Sequence, residues 1–366
     1  ECMEYRINRR TGDKIGVIGM GTAYIPEADE KEGAATLEYV FEQGVNYYDL
    51  ATADSCSFPA FGSAFAGVRD KVFYQIHFGA DYSRGEYGWT TKADEIRRSV
   101  EWQLKNLKTD YIDYAFIHCI DELSDWGKYR TGGALDYLLE MKKAGVARHI
   151  GLSSHDPATA QAVLDTGLVD MLMFSINPGY DYSHGDYANG SAEERMRLYR
   201  RCERDGIGIS VMKAFSGGQL LNEKTSPFGK ALTPRQCIRY ALDKPGVLTV
   251  LPGIRNREDA RGLLGYFGAA EEEKDYSVIS SLTPADAAGK CVYCNHCQPC
   301  PAGIDVGAVN KYYDLARIGD ELAADHYKNL SKTASDCIGC GHCNRRCPFH
   351  ADQVGRMKEI AAYFGK

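Results

Sequence analysis

The sequence predicts an α/β protein: a (β/α)8 barrel followed by a small, mainly α domain rich in cysteine. Short apolar runs alternate with amphipathic stretches at regular spacing over residues 12–268, the pattern of repeated βα units on a parallel sheet. Eight such units can be counted, and about 250 residues is the usual span of a closed barrel. Beyond them, eight of the thirteen cysteines fall in two tight runs in the last quarter of the chain.

In order, the predicted strands are Lys14 to Met20, Val45 to Asp49, Val72 to His77, Tyr111 to His118, His149 to Ser153, Val169 to Ser175, Ile207 to Met212 and Val247 to Leu251. A helix follows each. Ile96, Val100, Leu104 and Leu107, for example, form the stripe that packs one helix against a barrel. Asp156-Pro157 and Thr233-Pro234 read as helix starts, and Gly44, Gly145 and Gly206 as helix ends. Glu4 to Arg9 is expected as an additional strand closing the bottom of the barrel. Side chains at strand C-termini, where barrels build their sites, become the candidates for chemistry.

A composition of 44% hydrophobic and 25% charged residues is that of an ordinary globular protein. The net charge of -7 argues against nucleic acid as a partner. The longest apolar stretches, such as Leu168 to Ile176, are strand-sized and interrupted by Asp170, so neither a membrane span nor a signal peptide is expected. Cys2, Cys56, Cys119, Cys202 and Cys237 show no pairing pattern, which fits a reducing, cytoplasmic compartment.

The two runs are Cys291-x2-Cys294-x2-Cys297-x2-Cys300-Pro301 and Cys337-x2-Cys340-x2-Cys343-x3-Cys347-Pro348. Each offers three closely spaced thiolates to one [4Fe-4S] cluster, and a fourth before proline that crosses to the other. Cys291, Cys294, Cys297 and Cys347 are therefore expected on one cluster, and Cys337, Cys340, Cys343 and Cys300 on the second. Four-thiolate zinc is the alternative, but zinc does not require four cysteines in one run with a trailing Cys-Pro. Gly339, Gly341 and Asn295 between the ligands let backbone N–H groups turn toward sulfur. Ala308 to Leu330 reads as one or two helices and Val354 to Phe364 as a closing helix; Ala269 to Asp275, also helical, and Thr283-Pro284 lead in. The expected domains are 1–283, the barrel, and 284–366, a ferredoxin-like dicluster domain.

Several further segments carry a resemblance. Gly19-Met20-Gly21-Thr22, Gly44-Val45-Asn46-Tyr47-Tyr48-Asp49, Arg69-Asp70-Lys71-Val72-Phe73 and Tyr111-Ile112-Asp113 with His118 stand in order along the barrel. Gly151-Leu152-Ser153, Val211-Met212-Lys213 with Gly217-Gly218, and Pro252-Gly253 follow. With them the chain resembles, over nearly its whole length, an aldo-keto reductase of the subgroup that carries a C-terminal dicluster domain. The resemblance implies a tetrad of Asp, Tyr, Lys and His, with the tyrosine donating a proton while NADPH delivers hydride. Asp49 and His118 match it, but Asp54 stands at the tyrosine position and His77 at the lysine position. An ionised Asp54 is acceptor-only and repels a developing alkoxide, so ordinary carbonyl reduction is not expected.

The resemblance also implies nucleotide contacts that this sequence alters. Met173 replaces a glutamine, Gly262-Leu263 replaces Glu-Asn, and Asp259 lies where a phosphate would be held, although Arg255 and Asn256 remain. These changes argue against a tightly held NAD(P)H; the alternative is a drifted but retained NADP site. The clusters offer another source, relaying electrons from a ferredoxin or similar low-potential donor to a small-molecule substrate. His118 and His77 then suit general acid work, with Asp49 orienting His77, Asp54 as a second proton carrier or amine anchor, and Lys213 holding an anion or lowering a neighbouring pKa. A rival reading makes Asp49, His77 and His118 ligands of Zn2+ or Fe2+ in a hydrolase or lyase, with Asp54, Cys56 or Cys119 nearby. A noncatalytic electron carrier would need no such barrel. Phe78, Tyr82, Tyr87, Trp89, Trp126, Tyr129, Tyr180, Tyr182, His184 and Tyr187 lie in the loops after strands, where they either wall a flat, partly polar ligand, such as an aromatic one, or pack on the cluster domain or a partner subunit. No signature for a flavin is present.

Overall fold

The protein is described from a computed structural model covering residues 2–21, 30–51, 57–282 and 287–366. β1 (Tyr5–Ile7) and β2 (Lys14–Gly16) form an antiparallel hairpin. β3 (Tyr47–Asp49) and β4 (Phe73–Phe78) follow, then a second small hairpin of β5 (Ala80–Asp81) and β6 (Gly88–Trp89). The remaining strands are β7 (Ile112–Ile117), β8 (Ala147–Ser154), β9 (Met171–Ser175), β10 (Gly208–Met212) and β11 (Val247–Val250). Seven of them form one parallel sheet in the order β11-β10-β9-β8-β7-β4-β3.

Residues 17–20 close this sheet into a barrel. Ile18 bridges Val250 on one edge strand and Met20 bridges Tyr48 on the other, both in parallel sense. The expected strand Lys14 to Met20 is thus divided: its first half pairs with β1, and only its second half joins the ring. Gly19 lets that second half enter, since a Cβ there would stand 2.8 Å from both the Leu251 side chain and the Tyr47 carbonyl oxygen. Only glycine permits so close an approach to both edges. The β1–β2 hairpin covers the strand N-termini, where Asn8 donates to the Asp170 carbonyl at 3.1 Å just ahead of β9.

Ile15, Tyr47, Tyr114, Phe116, Met171, Met173 and Leu248 fill the barrel interior. Outside, the helix Ala93–Leu107 buries Ile96, Val100 and Leu107 of the expected stripe, with Leu104 half-buried. Asp156 caps the helix Pro157–Leu164 by accepting from the Thr159 N–H, with Pro157 in the first turn. Arg69 donates to the Asp113 carboxylate at 2.8 Å and to the Tyr111 carbonyl at 2.9 Å, which ties the lead into β4 to β7.

The chain forms two compact units, and the barrel strands all belong to the first, which comprises 1–176, 207–214 and 247–269. The second comprises 177–206, 215–246 and 270–366. Within it, the helices Ala192–Asp205 and Pro234–Leu242 are grouped with the C-terminal helices Val306–Arg317, Glu321–Lys328 and Gln353–Phe364. Arg200 donates to Tyr293 and Asp314, and the buried Asp181 carboxylate accepts from Arg195 at 2.8 Å and Tyr240 at 2.6 Å. The compact units therefore do not follow the expected division at 283/284, and residues 283–286 themselves lie outside the described residues. Among the described residues no helix is long and apolar enough to cross a membrane.

Candidate active site

β3, β4 and β7 bring three of the sequence candidates into one line. The Asp49 carboxylate ends β3, and its Oδ1 lies 2.6 Å from Nε2 of His77 on β4. The other ring nitrogen of His77, Nδ1, lies 2.9 Å from Nδ1 of His118, the residue following β7. His118 Nε2 in turn lies 2.7 Å from the Tyr87 hydroxyl oxygen. With Asp49 ionised and both rings neutral, one assignment of protons satisfies every link: Tyr87 O–H donates to His118, His118 Nδ1–H to His77, and His77 Nε2–H to Asp49.

Burial is steep along this line. His77 is fully buried and Asp49 and His118 nearly so, whereas Tyr87 is 40% exposed. Burial, aided by His77 and His155, holds the His118 ring well below the usual imidazole range. Beneath the line, Gln75 Nε2 donates to Asp49 Oδ1 at 2.9 Å, and Gln75 Oε1 accepts from Tyr47 at 2.5 Å and from Ser210 at 2.9 Å. Met173 fills the barrel interior beside Gln75, its sulfur 2.9 Å from Nε2.

Tyr87 is the residue that sequence reasoning missed as a participant. It sits in the connection of the β5–β6 hairpin, where neither strand spacing nor the resemblance marks it. The only signal was a tyrosine in a loop after a strand C-terminus. Most of the other loop aromatics, Phe78, Tyr82, Trp126, Tyr129, Tyr180 and Tyr182, are buried, which favours packing over a ligand wall for these six. Tyr129 donates to the Phe78 carbonyl and stacks on Trp126, for example. Tyr87, Trp89 and Tyr187 remain exposed.

Asp54 and Cys56 lie outside the described residues. Lys213 follows β10 in the left-handed region (φ 57°), and its charge favours the ionised form of Cys119. Asp49, His77 and His118 do not form a common ligand set for a metal, because His77 stands between its partners and turns a different ring nitrogen to each. Among the described residues the group with convergent donors is Cys119, Asp121 and His155, next along the same strand ends. There, burial and the Asp121 carboxylate push the Cys119 thiol up to about 12.

The cluster cysteines gather as their spacing predicts. Cys291, Cys294, Cys297 and Cys347 line one cavity, and Cys300, Cys337, Cys340 and Cys343 line another. Burial pushes the Cys291 thiol up to about 11 and that of Cys294 up to about 12, with neighbouring cysteines adding to the rise. Four crowded sulfurs of this kind fit a cluster whose iron takes them as thiolates. Gly339 (φ 68°) donates its N–H to Cys337 Sγ at 3.4 Å, and Asn295 and Gly341 also adopt positive φ.

The aldo/keto reductase family model matches residues 17–236, more than half of the chain. The chain belongs to the aldo/keto reductase family. A 4Fe-4S dicluster domain model matches residues 287–351, which contain all eight cysteines of the two runs. Among curated relatives of this family member, L-galactose dehydrogenase of Arabidopsis thaliana is 21% identical over 305 residues, 76% of this chain and 89% of its own. The aldo-keto reductase YhdN of Bacillus subtilis is 24% identical over 329 residues, 78% of this chain and 96% of its own. An aldo-keto reductase of Bacillus halodurans shares the fold with a TM-score of 0.62 at 20% identity, covering 77% of this chain and 97% of that one. The reductase from Klebsiella pneumoniae, solved in complex with NADPH, aligns with a TM-score of 0.56 at 17% identity, covering 78% of this chain and 96% of that one. These findings make the protein an aldo-keto reductase-like oxidoreductase with a 4Fe-4S binding domain.

Proposed function

We propose that this oxidoreductase reduces a small molecule at the barrel mouth with electrons that enter through two [4Fe-4S] clusters from a ferredoxin or similar low-potential donor, in a reducing, cytoplasmic setting. The observation that carries the reading is the unbroken hydrogen-bonded line Asp49, His77, His118, Tyr87, which runs from a buried carboxylate to an exposed phenol. The eight cysteines would hold the clusters, which when bound would supply electrons singly. The chain's own task is then proton delivery. When the line takes up one proton, the two outer links reverse: His118 Nε2–H points at the Tyr87 oxygen and His77 Nδ1–H at His118, His77 keeps its Nε2–H on Asp49 and carries the charge, and the phenol hydrogen points outward at the substrate. Transfer to the substrate is followed by reprotonation of Tyr87 from His118, so no phenolate persists. Asp49 stabilises the transient charge on the two rings, as a buried carboxylate does for a histidine base.

A nicotinamide has weak support in the residues that would hold it. Asp259 pairs with Arg255 through Nε at 3.0 Å and through the backbone N–H at 3.2 Å, so a phosphate would compete with a carboxylate already in place. Asn256 caps the helix Arg257–Leu264. The ordinary NAD(P)H-dependent reaction stays as the second reading, because a relative was solved with NADPH. The deciding experiment is anaerobic reconstitution of the clusters, followed by assay of candidate carbonyl substrates with a reduced low-potential dye or with NAD(P)H. Turnover with the dye and none with NAD(P)H is expected. Equal turnover with NADPH in protein stripped of its clusters overturns the proposal in favour of the second reading.

A further inference from the structure

Beside the proton line, two adjacent strand ends place a thiol, a carboxylate and an imidazole around one point. Cys119 and Asp121 follow β7, and His155 follows β8. His155 Nδ1 lies 3.0 Å from Asp121 Oδ2 and 3.9 Å from Cys119 Sγ, and Sγ lies 4.0 Å from the same Oδ2. The carboxylate divides its duties. Oδ1 accepts the His155 N–H at 2.6 Å and the Ser154 hydroxyl at 3.2 Å, which locks the two loops together. That leaves Oδ2 facing the imidazole and the sulfur.

We infer that Cys119, Asp121 and His155 form a binding site for a borderline divalent cation of the zinc type, with a fourth position open to water or to an oxygen of the substrate. Tetrahedral zinc with ordinary bond lengths sets its N and O donors about 3.3 Å apart and its S donor about 3.6 Å from each. The observed separations reach those values with shifts of a few tenths of an ångström. One thiolate and one carboxylate neutralise the dication, and the mixed S, N, O set selects zinc over magnesium or calcium, which take oxygen alone. Three protein ligands with a free fourth position is the arrangement of catalytic rather than structural zinc. The site is also at the barrel's C-terminal edge, where Cys119 directly follows His118 of the proton line. An ion there would act as a Lewis acid on a substrate oxygen at the same mouth that Tyr87 protonates.

The inference does not rest on the proposed reduction, because occupancy is measured without turnover. The probe is Zn2+ added to protein carrying both clusters. One zinc per chain beyond the cluster iron is expected, and absorption at the zinc K edge, free of iron, should report one sulfur and three nitrogen or oxygen neighbours. Cys119→Ser and Asp121→Asn should each weaken binding roughly 10²-fold, at least as much as losing a supporting contact does. Asp121→Asn keeps the Oδ1 acceptor that holds the loops, so its iron content and fold should be unchanged. A shell of four sulfurs would place the zinc in the cluster cysteines and overturn the inference. So would the absence of a stoichiometric zinc in the unmutated protein, a result that needs no variant to fold.

Discussion

Asp49, His77 and His118 were legible because they end strands, and a barrel brings strand ends to one mouth whatever their separation in sequence. Tyr87 was not legible, since its place beside His118 depends on the path of a hairpin whose strands are two residues each. The convergence of Cys119 with His155, 36 residues apart, was hidden for the same kind of reason: it needs the parallel pairing of β7 with β8. Two substitutions test the line. Tyr87→Phe keeps the ring and removes the hydroxyl, and His118→Ala removes the relay between Tyr87 and His77. Each should lower dye-driven turnover by roughly 10²-fold while cluster absorption stays unchanged. Asp49→Asn should act more mildly, because Gln75 still holds the side chain in place. Full turnover in Tyr87→Phe alongside a loss in His118→Ala would show that His118 meets the substrate directly.

At the scale of elements, periodicity located the eight strands of the barrel, and proline with a capping residue located the helix starts at Asp156 and Thr233. What it did not resolve was pairing. The first strand divides its pairing between β1 and the barrel edges, which its apolar run does not show, and the β5–β6 hairpin is too short to leave a period. The segment Ala308 to Leu330 becomes two helices, with Gly319 (φ 88°) in the turn between them. Motifs that carried the family resemblance also have structural work. Arg69 and Asp113 form a nearly buried pair, with the guanidinium over the rings of Tyr74 and Tyr111. Arg69→Met should therefore destabilise the barrel by about 3–5 kcal/mol, because it strands a buried carboxylate. Burial already raises the Asp113 carboxyl above its ordinary value against the pull of Arg69, so losing Arg69 raises it further. A raised native pKa means that native protein binds the proton more readily than unfolded chain, and stability falls as pH rises through it. The deficit of Arg69→Met measured by urea unfolding should then shrink as pH is lowered from 7 toward 5. A deficit that is constant over that range would mean that Asp113 is not left charged and buried.

For the molecule as a whole, the cysteine spacing predicted the grouping that the two cavities display, including the exchange of Cys300 and Cys347 between runs. Protein purified without oxygen should carry about eight iron and about eight acid-labile sulfide per chain. Replacing Cys347 by serine should disturb the electron paramagnetic resonance of the cluster bound by the first run, and Cys300→Ser that of the second. Zinc without labile sulfide would refute both assignments. Compactness groups the helices Ala192–Asp205 and Pro234–Leu242 with the C-terminal residues, and sequence order does not reveal which helices a compact unit will claim. One feature of the barrel bears on how the molecule runs over many cycles. The proton line ends inward on Gln75, Tyr47 and Ser210, all fully buried, so among the described residues it is a blind alley that opens at Tyr87. Under the proposed function, a proton spent on the substrate is replaced through Tyr87, the exposed end of the line among the described residues, and a bound substrate would stand in that doorway. The line is thus a magazine that holds one round: a two-proton reduction must take its second proton from solvent at the substrate's outer face, or wait until the product has left.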